Sequence, residues 1–127
     1  MMDVVAKYVE GCRDDLDAAR TLLDAGKAFW VAFLCHQALF KLLRGYFLQT
    51  QNRYPPNEPL LPALARASGL DASLTEVDLE FLHELSFYPQ VVSQSVYRQK
   101  IAERARDATS VLQKASDLAE SIRARIP

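Results

Sequence analysis

His36, Gln37, Lys41 and Arg44 sit close together in a stretch, Phe29 to Leu48, that is otherwise apolar almost throughout. Lys and Arg bring only hydrogen-bond donors, and an amide and an imidazole add to them, so the group suits an anion such as a phosphate. At about 100° per residue, Phe29, Phe33, His36, Phe40, Leu43 and Phe47 form one helical stripe. Cys35, Ala38, Leu39 and Leu42 cover the far side, so the helix must be buried on most of its circumference. Gln37, Lys41 and Arg44 share a narrow arc beside the stripe, and burying such groups is costly unless something accepts their hydrogen bonds. Three partners satisfy that demand: an anionic ligand, an acidic neighbouring helix, or water reached by snorkelling over apolar stems. A transmembrane span does not, because Lys41 and Arg44 break the run well before about 20 apolar residues accumulate.

The remaining reactive side chains carry less. His83 stands between Glu80 and Glu84 with no third metal ligand, and reads as a partly exposed histidine near carboxylates. Cys12 and Cys35 lack metal-like spacing and read as small buried hydrophobes in a reducing compartment. Asp14, Asp15, Asp17 and Arg20 read as the solvated face of the first helix. There is no Gly-rich phosphate loop, no serine nucleophile context and no H-E-x-x-H. The sequence asks for no metal and no cofactor.

These residues belong to one domain of 127 residues, long enough to bury its own core. With 15 Lys+Arg against 16 Asp+Glu the net charge is −1, so the chain is no polycation that would coat nucleic acid. The charge is uneven: residues 1–56 carry +1, 57–90 carry −5 and 91–127 carry +3. An acidic middle can complement the basic tail within one chain or across a dimer. Nothing signals DNA specificity or a membrane anchor, and MMDVVAKYVE lacks the basic-then-apolar pattern of a secretory signal, so a cytoplasmic protein is expected.

The spacing predicts a first helix over Asp3–Ala25 with Val5, Tyr8, Cys12, Leu16, Ala19 and Leu23 on one face, stopped by Gly26. The polar-cluster helix follows after so short a link that the two must pack antiparallel. Pro55, Pro56 and Pro59 mark the one substantial loop. A short third helix over Leu60–Ser68 stops at Gly69. Ser73-Leu74-Thr75-Glu76 has the capping-box pattern for a fourth, with Leu74, Val77, Phe81 and Leu85 inward and Pro89 at its end. Ile101, Ala105, Ala108, Leu112, Ala115, Ala119, Ile122 and Ile126 form a strict a/d seam on the last helix. No strand pattern appears. The fold class is all-α: an up-and-down helical bundle of four longer helices plus one short helix.

His36-Gln37-Ala38-Leu39-Phe40-Lys41 resembles the H-Q-A-x-x-K helix of the HEPN family, small helical bundles named for a proposed nucleotide-binding role. The likeness extends over residues 7–120. Asp15-Leu16-Asp17-Ala18-Ala19-Arg20-Thr21-Leu22-Leu23 resembles the family's D-L-x-x-A-x-x-L-L run, Pro55 to Leu60 its P-P-x-x-H-x-L turn, and Ser86-Phe87-Tyr88-Pro89 its T-R-Y-P element. Three positions depart: Phe40 stands where many relatives carry Glu, Glu58 where they carry His, and Phe87 where they carry Arg. Two changes to aromatic favour packing or base stacking. The third, cation to anion, disfavours phosphate at that spot.

The resemblance implies a candidate ligand-binding set of His36, Gln37, Lys41, Arg44 and Tyr88. Ribonucleases of the family are implied to carry R-x4-6-H, whose arginine and histidine suit phosphodiester cleavage. No Arg stands at that spacing before His36 or His83, and the nearest imitation, Arg53 to Glu58, ends in Glu. A catalytic set is therefore not expected. The family's frequent pairing with a minimal nucleotidyltransferase implies a nucleotide- or RNA-binding partner in a toxin–antitoxin-like complex. The alternatives are a divergent ribonuclease toxin and a purely structural homodimer. Self-association is expected through the Ala-rich seam or through the fourth helix with Phe87 and Tyr88.

Overall fold

A computed structural model describes residues 2–94, 98 and 107–127. Helices α1 (Met2–Asp24) and α2 (Ala28–Gln51) form an antiparallel hairpin joined by three residues, Ala25 to Lys27. Gly26 makes that turn with φ +71°, a backbone conformation a side chain would strain, and the Lys27 N–H donates to the Leu22 carbonyl at 2.9 Å. The helices α3 (Leu61–Ala67), α4 (Glu76–Leu85) and α5 (Ala108–Arg123) complete an all-helical bundle. Short 3-10 turns at Leu70–Ser73 and Pro89–Val91 bracket α4.

The central element is α2, which packs against α1, α3, α4 and α5. Its expected double-sided burial is found: Phe29, His36, Leu43 and Phe47 are buried on one side, Cys35, Ala38, Leu39 and Leu42 on the other. The α1 face is also as expected at Val5, Cys12, Leu16 and Ala19. Ala108, Leu112, Ala115, Ala119 and Ile122 of the last seam are buried within the monomer, against α2 and α1. Two further seam positions, Ile101 and Ala105, lie outside the described residues.

Three expectations change. Val77, expected inward, is 65% exposed. The fourth helix is short, ten residues, and its N-cap is Thr75 rather than Ser73. Gly69 (φ +79°) turns the chain into the Leu70–Ser73 3-10 turn, and Leu74 is extended, so α-helical hydrogen bonding cannot begin before Thr75. The Thr75 hydroxyl then accepts from the Asp78 N–H at 3.0 Å, and the Asp78 carboxylate accepts from the Thr75 N–H at 3.1 Å. Among the described residues no helix is long and apolar enough to cross a membrane.

Candidate functional site

His36, Gln37, Lys41 and Arg44 are all satisfied, in whole or in part, from within the fold. Lys41 Nζ lies 2.8 Å from Asp15 Oδ2 of α1, the two side chains being 38% and 17% exposed. The approach is that of an ion pair without hydrogen-bond alignment, since Oδ2 is buried and receives no hydrogen bond. Asp15 is therefore not part of the solvated face; it is the acidic neighbour that a semi-buried lysine requires.

Two glycines make this crossing close. A Cβ at Gly11 would stand 3.0 Å from Lys41 Cδ, so the bare backbone of α1 is the groove in which the lysine stem lies. Gly45 of α2 plays the reciprocal part, where a Cβ would stand 3.0 Å from that of Tyr8. The Tyr8 hydroxyl accepts from Arg44 Nε at 3.4 Å, and Arg44 Nη1 donates to the Pro56 carbonyl at 3.4 Å. The guanidinium also sits over the rings of Phe40 and Tyr8, at 5.3 and 5.9 Å from their centres. Arg44 thus ties the proline loop to the α1–α2 hairpin.

His36 is buried, its ring stacked on Phe40 at 5.8 Å with 13° between planes. Its Nδ1 is 3.0 Å from Gln37 Oε1, which makes Nδ1 the donor; Nε2 is buried with no hydrogen-bond partner among the described residues. Burial lowers the imidazole pKa below its ordinary value, and the Gln37 contact opposes that in part. The two thiols are displaced the other way: burial pushes Cys12 and Cys35 up to about 12, with the Asp15 charge adding to the effect at Cys12. Neither is set up as a nucleophile at neutral pH.

Tyr88 does not join the cluster. It is buried with its ring 5.4 Å from that of Phe29, at the start of α2. Lys41 lies about 18 Å further along the helix at 1.5 Å per residue. His83 is exposed as expected, its ring edge-on to Phe87 at 5.0 Å. Among the described residues no three His, Cys, Asp or Glu side chains gather as a metal site.

The three departures from the family pattern each have a use here. Phe40 offers ring faces to both His36 and Arg44. The Glu58 carboxylate accepts from the Leu60 N–H at 3.1 Å, fixing the entry into α3. Phe87 packs on His83. Ser86 is a further organiser that the sequence did not single out: its hydroxyl accepts from the Leu61 N–H at 3.0 Å and donates to the Leu82 carbonyl at 2.8 Å, locking α3 to α4.

A family model described as HEPN domain matches residues 5–124. The chain belongs to the HEPN family. No curated protein and no solved structure matches it. Within this HEPN domain, Asp15 of α1 and Lys41 of α2 are joined as an ion pair. Asp15 was missed in the sequence because it stands in a run with Asp14 and Asp17, which are exposed; the available signal was its place at the head of the D-L-x-x-A run.

Proposed function

We propose that this HEPN domain is a non-catalytic binding module, working as a homodimer in a two-component, toxin–antitoxin-like complex with a minimal nucleotidyltransferase. Its ligand is a nucleotide or RNA phosphate held at the Lys41–Arg44 edge of α2. The observation that carries the non-catalytic part is the commitment of the polar groups. Lys41 is spent on Asp15, Arg44 on Tyr8 and Pro56, and among the described residues neither His36 nor His83 hydrogen-bonds to an arginine. General acid–base cleavage of a phosphodiester needs a titrating group beside a free cation. The binding part is supported by exposure: Lys41 is 38% exposed, and both Arg44 hydrogen bonds are long, 3.4 Å, so an approaching phosphate can compete for these donors.

Lys41→Met alone would strand the Asp15 charge, at a cost of about 1–3 kcal/mol between the surface and buried limits. The decisive protein is therefore Asp15→Asn/Lys41→Met, which removes the cation and its counter-charge together. Titration of ATP and of a short single-stranded RNA at two salt concentrations should show salt-sensitive binding by the wild type and none by the folded double variant. Retained binding by that variant, or no binding by the wild type, rejects the ligand site. RNA degradation by the wild type would reverse the non-catalytic reading.

A further inference from the structure

Between α1, α2 and α5 lies a cavity of about 290 Å³, separate from the Lys41–Arg44 edge. Its floor is apolar, built from Leu16 of α1, Leu42 of α2 and Ala119 of α5. Its rim is cationic: Arg13, Arg20 and Arg123 all line it, with Glu120 as the lining acid. An apolar floor under a cationic rim is the pattern of a site for an amphipathic anion.

The charges leave one cation over. Arg123 is paired with Glu120 at 2.7 Å, and Arg20 with Asp17. Arg13 is exposed and has no ion-pair partner among the described residues. It is near enough to act on the same carboxylate: the Arg123 hydrogen bond, the Arg123 charge and, more weakly, the Arg13 charge hold Glu120 below its usual carboxyl range. The cavity therefore asks for a single negative charge, at the Arg13 end.

The second observation is Ser116. Ser116 lines the same cavity, and its hydroxyl, covered by the surrounding protein, makes no hydrogen bond among the described residues. Hydroxyls inside helices ordinarily bond back to a carbonyl three or four residues earlier. Thr50 within α2 does, to Tyr46 at 2.9 Å, and so do Ser86 and Ser68, each one residue past the end of α4 and α3, to Leu82 at 2.8 Å and Ala65 at 2.9 Å. A buried hydroxyl without a partner is destabilising. Ser116 lies one turn, about 6 Å, from Glu120 along α5.

We infer that this cavity binds a small amphipathic monocarboxylate, its head on Arg13 and its apolar body over Leu16, Leu42 and Ala119, with Ser116 on the inner wall. A carboxylate fits better than a phosphate monoester because only one uncompensated charge is present and the greater part of the wall is apolar. The volume stands at the lower end for organic ligands, which limits the body to a short chain or a single ring.

Isothermal titration with octanoate and with 3-phenylpropionate tests this, with inorganic phosphate and octanol as comparison probes. At least one carboxylate should bind the wild type saturably at one site per chain, more tightly than either comparison probe. Arg13→Gln, an exposed change that leaves the packing alone, should weaken binding about tenfold or more. Ser116→Leu, which fills the cavity, should abolish it. The proposal is overturned if neither carboxylate binds, if phosphate binds as well as they do, or if Arg13→Gln binds as the wild type does. Arg13→Gln keeps the test decisive even if the filled variant folds poorly.

Discussion

His36 is held neutral by its surroundings: it is buried, stacked on Phe40, and donates to a single amide oxygen. The unfolded chain takes up a proton below about pH 6.5 more readily than the folded one. A group with a depressed folded pKa contributes stability above its unfolded pKa, and that contribution is lost as pH falls through the interval towards the folded value. Denaturation midpoints should accordingly drop between about pH 7 and pH 5. His36→Phe, which keeps a ring in the stripe and removes the titration, should flatten that slope, and equal slopes in the two proteins would disprove the assignment. The same scale shows what a sequence conceals. In the hairpin, facing residues have numbers that sum to 52 or 53, as at Gly11 with Lys41 and Tyr8 with Gly45. A helical side chain leans towards its own N-terminus, so Lys41 reaches back about one turn and meets Asp15 instead of its direct neighbour. Periodicity places both residues on their helices; only the register of one helix against the other makes them partners.

Where an element begins depends on what precedes it. Ser73-x-x-Glu76 and Thr75-x-x-Asp78 both fit a capping box, and local spacing does not separate them. The choice is made upstream, by the left-handed Gly69 and the tight turn it launches. Helices α1 and α2 were legible because long apolar stripes outweigh end effects; α4 was misplaced by two residues because it is short and its caps are most of its signal. Leu43→Ala, in the fully buried middle of α2, should destabilise the protein by ~2–5 kcal/mol, through lost transfer energy and a residual cavity. Thr75→Ala should cost ~0.5–2 kcal/mol, and Ser73→Ala less than either, since its hydroxyl caps nothing. Urea denaturation of the three variants checks the order, and a Ser73 variant weaker than the Thr75 variant would contradict the observed cap.

At the scale of the molecule, the seam from Ala108 to Ile122 is spent inside the monomer, so a homodimer has to find its surface beyond those residues. The α3–α4 side offers one: Val77 is 65% exposed, Phe87 38% and Leu60 36%, and a groove of about 650 Å³ runs between Leu60, Val77 and His83. Tyr88, buried against Phe29, is not available to it. Sedimentation analysis at micromolar concentration should show a dimer that Val77→Asp together with Phe87→Glu converts to monomer. A monomeric wild type would remove the homodimer from the proposed function while leaving both ligand proposals standing.

The link of three residues between α1 and α2 also has an entropic meaning. Loop-closure entropy rises with the logarithm of loop length, so the hairpin closes at the least entropic cost, whereas α5 must return to α1 across most of the chain. The most extensive helix–helix contact among the described residues thus joins two helices adjacent in the chain. Asp15 and Lys41 meet within that hairpin, so pairing their charges requires no contact from the final helix.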